Sequence, residues 1–264
     1  MSKHYPNRID GNLRKSALRI PQAVYQCSGI LVFGRRIKSF AFTTDLAIVR
    51  NINADAILAV YPFTPQPIIN QALLMAADIP VFVGVGGGLT QGSRVVQLAA
   101  FAEMQGAAGV VVNAPTDPET IQRIAELIDI PIVVTAVNWN DRVMEQIEAG
   151  ASIINVAGAD QTPQIIRTMR EHYPKIPIIA SGGKTDESIL STIQASANAI
   201  SWTPPSSKEI CGNIMDDYRR GKEYRMKIEI SEEKFIDLSV AGRKEPCSEI
   251  TQKSRKNSQK IDNI

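Results

Sequence analysis

The chain has 264 residues, a hydrophobic content of 44% and a mean hydropathy of −0.07, which are ordinary values for one globular domain of about 200–250 residues with tails. The net charge of +2 gives no argument for nucleic acid or a membrane as partner, and no stretch approaches the roughly 18 apolar residues of a membrane span. Three widely spaced cysteines without a Cys-x-x-Cys pair argue against a disulfide framework or a zinc site and favour a cytoplasmic protein.

The first 16 residues are polar and of mixed charge, and we expect them to be flexible. They lack the apolar core of a signal peptide. Residues 17–26 predict a short amphipathic helix. Residues 30–33 and 37–42 read as two extended pieces joined through Gly34, and we expect a hairpin that closes the floor of a barrel and continues into its first strand.

A two-part motif then recurs along the chain. One part is a pair of small residues followed by an apolar run, at 54–60, 106–112, 150–156 and 196–202. The other part is Ile-Pro followed by an apolar run, at 79–83, 130–134 and 176–180. The parts alternate, helical patterns lie between them, and the motif returns after about 45–52 residues, which is typical of parallel βαβ units.

With the first strand and a last helix at 206–219, the count reaches eight strands and eight helices. This count predicts a (β/α)8 TIM barrel over residues 17–220, with the N-terminal helix and hairpin at its floor. The composition becomes polar and charged afterwards, so residues 221–264 are predicted to be a partly disordered C-terminal extension.

The last two turns of the predicted barrel carry the strongest functional signal, because the loops after strands seven and eight form the usual phosphate site of such barrels. Two glycines after strand seven allow a ligand to approach backbone N–H groups. After strand eight, Trp202 is followed not by the usual glycine but by a threonine and two prolines, which leaves the serines of the last helix to supply N–H donors. The predicted anion-binding residues are Ser181, Gly182, Gly183, Thr203, Ser206 and Ser207.

Four residues are candidates for a chemical role. Asp45 can act as a general base at the barrel mouth, or cap the first helix. Lys38 can be a nucleophile if it faces inward, where burial would lower its pKa, or it can point away from the barrel. Asn113 and Asn155 end strands four and six and can polarise a substrate oxygen or pin loop backbone. The rim carries no His/Asp/Glu cluster, so we expect no metal and no other cofactor.

A second set of residues is predicted to line the substrate loops at the same end of the barrel. The glycine run after strand three can let its loop close over a ligand, or can be a simple turn. The set consists of Tyr61, Thr64, Gly86, Gly87, Gly88 and Thr135.

Several motifs together resemble the phosphate-binding TIM-barrel superfamily, and more closely an uncharacterised bacterial family of β/α-barrel proteins commonly labelled hydrolase. They lie within residues 20–215: Phe-Gly-Arg-Arg-Ile-Lys-Ser at 33–39, Ala-Val-Tyr-Pro-Phe-Thr-Pro-Gln-Pro at 59–67, Gly-Val-Gly-Gly-Gly at 84–88, Val-Asn-Ala-Pro-Thr at 112–116, Thr-Asp-Glu-Ser-Ile-Leu at 185–190 and Thr-Pro-Pro at 203–205. The label implies hydrolysis.

Two weaker resemblances imply other activities. The hairpin entry is similar to that of thiazole synthase, which implies a Schiff-base lysine, but no lysine stands at a matching strand end. The segments 199–201 and 207–209 resemble the glycerol-3-phosphate-responsive antiterminator, which implies a ligand sensor that acts on RNA.

The resulting hypothesis is a metal-independent barrel enzyme that binds a small phosphorylated or carboxylated metabolite at the carboxyl-end rim, with hydrolase, lyase and isomerase chemistry all open. Two alternatives stay beside it: a non-catalytic phosphometabolite sensor and a flavin-binding barrel. The expected partner is a small anionic metabolite, and a homo-oligomer is left open.

Overall fold

The computed structural model describes residues 18–183 and 185–221. The predicted N-terminal 16 residues and all of the C-terminal extension except Gly221 lie outside the described residues, so those two predictions stay predictions. Within the described part, no helix combines the length and the hydrophobicity that a bilayer crossing requires.

Eight parallel strands close into a barrel, which confirms the predicted (β/α)8 fold. Its strands are β3 (Ser39–Phe42), β4 (Ala56–Ala59), β5 (Val81–Gly86), β6 (Gly109–Val112), β7 (Ile132–Ala136), β8 (Ile153–Val156), β9 (Ile178–Ser181) and β10 (Ala199–Trp202). Neighbours in sequence pair in space, and β10 pairs with β3 through Ile200 and Ser39 to complete the ring. Almost every strand residue is buried, as the unalternating apolar runs predict.

One helix follows each barrel strand. The helices are α1 (Leu46–Asn51), α2 (Pro67–Ala76), α3 (Ser93–Met104), α4 (Pro118–Ala125), α5 (Asp141–Glu148), α6 (Thr162–His172), α7 (Asp186–Gln194) and α8 (Ser207–Arg219). Their apolar faces and the outward faces of the strands form one large core, while a second, smaller cluster fills the barrel interior. In that interior the rings of Phe40 and Phe82 meet edge to face, with centroids 5.2 Å apart.

A short hairpin precedes the barrel, as predicted, and is formed by β1 (Ile30–Val32) and β2 (Arg35–Ile37). Phe33 and Gly34 both have positive φ, 46° and 78°, as a two-residue hairpin turn requires. The buried side chains of the hairpin join the interior cluster with Phe40, so the hairpin closes the barrel floor. The predicted helix at 17–26 is wrong over residues 18–21, because only Gln22–Gln26 form a short 3-10 helix. Pro21 disfavours helical backbone in the residue before it and ends the pattern there.

Strand β5 is irregular at its carboxyl end. Its register with β6 shifts between Gly84 and Gly86, and Gly86 and Gly87 have φ of 130° and 93°. A Cβ atom at Gly87 would collide with the hydroxyl of Thr116 and lie 2.8 Å from the backbone nitrogen of Asn113. The glycines therefore let the β5 loop press against the β6 loop, as only residues without a side chain can.

Candidate functional site

The carboxyl-end mouth of the barrel is built from a repeated pair of inward residues. In β6, β7 and β8, the inward apolar residues Val111, Val133 and Ile153 are followed two positions later by a polar residue. The same holds for β9 and β10. Because side chains two positions apart lie on one face of a strand, the polar residues form an upper layer over the apolar one. This layer consists of Asn113, Thr135, Asn155, Ser181 and Ser201.

This polar layer lines one side of a cavity of about 720 Å³. On β3 and β4, by contrast, the inward residues stay apolar up to the rim, at Phe42, Leu58 and Val60. The loop after β10 adds further apolar surface. The cavity therefore has a polar wall from β6 to β10 and an apolar wall completed by Trp202, Pro204 and Pro205.

Asn155 is the most buried member of the polar layer, with 6% of its surface exposed. Its Nδ2 donates a long hydrogen bond of 3.4 Å to the Thr135 hydroxyl, and its Oδ1 is buried without a hydrogen-bond partner. The hydroxyls of Ser181 and Ser201 have no partner among the described residues either. Such unpartnered polar groups are uncommon in a protein interior and require an explanation.

The predicted anion site at the start of α8 is occupied by the chain's own carboxylates. Glu209 Oε2 accepts hydrogen bonds from the backbone N–H of Ser206 at 2.7 Å and from its hydroxyl at 2.8 Å. Asp45 Oδ2 accepts from the backbone N–H of Ser207 at 3.2 Å. The prediction that these amides are unpaired is therefore wrong, because the helix start is capped from within.

Asp45 is the N-cap of α1, the structural alternative that its sequence position allowed. Its Oδ1 accepts hydrogen bonds from the backbone N–H of Ala47 at 2.9 Å and of Ile48 at 3.3 Å. These bonds lower the pKa of the Asp45 carboxyl, and the largest cause is the hydrogen bond from the Ser207 side chain. A carboxylate with a lowered pKa and three backbone donors is a weak base.

The turn after β9 is also engaged with its own helix. The Gly182 N–H donates to the Ser201 carbonyl at 3.3 Å, and the Gly182 carbonyl accepts from the Ser188 hydroxyl at 2.8 Å. Gly183 has φ of 75° and lines the cavity with Gly182. The first turn of α7 carries Asp186 and Glu187, whose carboxylates complement the positive end of the helix dipole.

The comparisons with known proteins agree on the fold. No protein-family model and no curated protein matches the sequence. A candidate phosphonomutase from Burkholderia cenocepacia superimposes with a TM-score of 0.55 at 15% identity, over 69% of this chain and 92% of that chain.

Two further solved structures give the same result. A phosphonopyruvate hydrolase solved with oxalate and Mg²⁺ matches with a TM-score of 0.52 at 14% identity, over 73% and 86% of the two chains. A 2,3-dimethylmalate lyase matches with a TM-score of 0.54 at 12% identity, over 79% and 85%. The chain shares the TIM-barrel fold of these enzymes. Sequence identities this low support a shared fold but say nothing about a shared reaction.

Lys38 lies at the opposite end of the barrel from the cavity. It precedes β3, its Nζ donates to the Tyr25 carbonyl at 2.8 Å, and its backbone N–H donates to the Asp55 carboxylate, also at 2.8 Å. The structure thus separates Lys38 from the other three catalytic candidates.

A smaller cavity of about 170 Å³ adjoins the mouth between the loops after β4 and β5. Tyr61, Gly86 and Gly88 line it, and Asn113 and Val60 line both cavities. Gly87 supports this loop from behind and Thr64 is exposed outside both cavities. The predicted substrate-loop residues are therefore split, with Thr135 in the larger cavity and Thr64 in neither.

Sequence reasoning missed Glu209 and the apolar wall. Among the described residues that line the larger cavity, Glu209 is the one that is ionisable. It lies three residues after Ser206 in a capping box, a pattern that reads as purely structural. Phe42, Leu58 and Val60 could have been found, since they share the inward face of strands already predicted.

The described residues contain no group of three or more His, Cys, Asp or Glu side chains that could hold a metal ion. Two cysteines are described, and both are free. Burial raises the pKa of the Cys27 thiol to about 11, so this group is a poor nucleophile.

Proposed function

We propose that this protein binds a small polar metabolite in the mouth of its barrel and acts on it by proton transfer. One observation carries the proposal: polar side chains with unspent hydrogen-bonding capacity form a layer over an apolar floor and face a cavity of about 720 Å³. That volume lies within the range of small-molecule sites, roughly 300–1,000 Å³. The carboxyl ends of the strands are also where barrels of this fold carry their chemistry.

Glu209 is the group that we propose moves the proton. Its carboxylate lines the cavity and is held by two hydrogen bonds from Ser206, which fixes its position at the rim. Asn113 and Thr135 line the same cavity and can hold a substrate oxygen. Asp45 leaves this role, because its hydrogen bonds are spent on α1 and α8.

The sequence-based expectation of a phosphorylated or carboxylated ligand loses its main support. The N–H groups that would hold an anion at α8 already bond to Asp45 and Glu209, and a further anion beside these carboxylates would be repelled. A flavin nucleotide needs a phosphate anchor at the same place and meets the same obstacle. We keep the metal-independent reaction as part of the proposal, since the described residues contain no group of three or more His, Cys, Asp or Glu side chains that could hold a metal ion. No cavity residue favours hydrolysis over lyase or isomerase chemistry.

The proposal is tested with the full chain and a defined panel of small acids, sugars, alcohols and amides, using ligand-observed NMR for binding and the substrate spectrum for turnover. Thr135→Val and Ser201→Ala should each weaken binding severalfold, since each removes a hydrogen bond worth about 1 kcal/mol. Glu209→Gln should keep binding and lose turnover. Lys38→Met is the matched control at the other end of the barrel and should change neither. A panel without a binder, or mouth variants that bind as the wild type does, would refute the proposal.

A non-catalytic sensor is the second candidate. It is favoured by the double use of Glu209, whose carboxylate also caps α8, so that the cavity is better supplied with binding groups than with acid–base groups. A ligand that binds the wild type, requires Thr135 and Ser201, and is recovered unchanged after long incubation would favour the sensor.

A further inference from the structure

The mouth cavity also indicates the chemical class of its ligand. We infer that it takes an uncharged polyhydroxylated molecule, a small sugar or polyol, rather than an acid or a phosphate ester. This inference rests on the proposed function, since it requires the mouth to be the ligand site.

The polar wall matches hydroxyl groups. Ser181, Ser201, Thr135 and Thr203 present hydroxyls, each of which can donate one hydrogen bond and accept others. Asn113 adds an amide with the same dual capacity. A carboxylate or phosphate group can only accept hydrogen bonds, so it would leave the acceptor oxygens of these side chains without a donor. A ligand hydroxyl both donates and accepts hydrogen bonds, so it can pair with the donors and with the acceptors of these side chains.

The opposite wall matches the C–H face of such a ligand. Phe42 lies two positions after the inward Phe40 and lines the cavity, and Trp202 and Pro204 add to this wall. A sugar or polyol has hydroxyls along its edges and C–H groups between them, so one molecule can contact both walls. Aromatic rings contribute large contact areas of this kind.

The charges oppose an anionic ligand. Among the described residues that line the cavity there is no Lys, Arg or His, and Glu209 is the one ionisable residue of that set. Asp45 places a second carboxylate on the same helix start. From the described lining residues, a negatively charged ligand would therefore receive a carboxylate neighbour and no cation in exchange for its hydration.

Asn155 provides independent support for a ligand here. It lines the cavity at 6% exposure and keeps a buried Oδ1 with no hydrogen-bond partner, which costs folding free energy. A polar group retained at a cost in a cavity wall is expected where function requires it.

The test compares matched triplets that differ only in charge: glycerol, glycerate and serinol, and glucose, glucuronate and glucosamine, extended by uncharged pentoses and polyols and by inorganic phosphate. Binding to the full-length wild type is measured by ligand-observed NMR and titration. We expect an uncharged member to bind, and its acidic counterpart to bind at least tenfold more weakly. Ser181→Ala combined with Ser201→Ala should weaken the uncharged ligand about tenfold. Glu209→Gln should reduce the difference in affinity between the uncharged ligand and its acidic counterpart.

The outcomes separate the two levels of the proposal. If glycerate, glucuronate or phosphate binds best and the serine variants lose it, the mouth is the site but the ligand class is wrong. The same holds if an amine binds best. If nothing binds, or the serine variants have no effect while circular dichroism shows them folded, both the ligand class and the site are refuted.

Discussion

Replacing Asn155 by leucine, which has nearly the same shape, is expected to make the protein more stable and less able to bind its ligand. The substitution removes a buried oxygen that has no hydrogen-bond partner, which costs about 1–3 kcal/mol, and it sacrifices only one long hydrogen bond to Thr135, worth about 0.5–1 kcal/mol. The net expectation is a gain of about 1 kcal/mol in the free energy of unfolding. For a domain of this size that is a rise of about 2–4 °C in Tm.

The matched control is Gln146→Met, because Gln146 is also a buried amide with an unpartnered oxygen. Its Nε2, however, donates short hydrogen bonds to the carbonyls of Ala114 and Thr116, at 3.0 and 2.7 Å. Removing that amide leaves two carbonyls unpaired and should cost about 1–3 kcal/mol. Urea unfolding and calorimetry measure both variants. Changes of the same sign, or a loss of more than about 1 kcal/mol in Asn155→Leu, would refute the reasoning.

Three further predictions concern the framework around the mouth. Asp45→Ala should lower the free energy of unfolding by about 1–2 kcal/mol at neutral pH, because the cap is lost. Folding lowers the pKa of Asp45, so the carboxylate contributes its full stabilisation above the ordinary pKa of 3.8 and loses it as the pH falls below that value. The difference between variant and wild type in urea unfolding should therefore shrink in acid. Arg170→Met should lower the free energy of unfolding by about 2–4 kcal/mol, because the guanidinium donates hydrogen bonds to four acceptors at the barrel floor. The control is Arg167→Met at an exposed position of the same helix, which should change it by less than about 0.5 kcal/mol. Equal effects would contradict a structural role for the Arg170 hydrogen bonds. Gly87→Ala should lower Tm far more than Gly92→Ala, since both have positive φ but only the first would collide with neighbouring atoms; similar melting curves would speak against that packing.

The barrel could be predicted because its signals are local. Each Ile-Pro run and each small-residue pair marks the start of a strand, and the strict alternation of the two fixes the order of the elements. The helix at 17–26 failed for a local reason as well, since Pro21 interrupts a pattern that looks amphipathic. The amino-terminal limit of β3 was set two residues too early, which gave Lys38 a place in the strand that it does not have.

The site was only partly predictable because its decisive contacts join distant segments. Asn155, Thr135 and Ser181 follow from counting to the end of each strand. The hydrogen bond from Ser207 to Asp45, however, joins residues 162 positions apart, and no local sequence pattern predicts it. Glu209 was missed because a capping-box glutamate and a cavity glutamate look identical in sequence. Which amides stay unpaired is a property of the assembled rim.

The self-capped start of α8 also bears on how the protein persists in a cell. A rim that relied on a bound anion to neutralise its helix ends would be weakened whenever that compound became scarce. Here the side chains of Asp45 and Glu209 perform that task, so the caps at the start of α8 do not depend on a bound ligand. Occupancy then adds only the mass-action increment that any ligand confers.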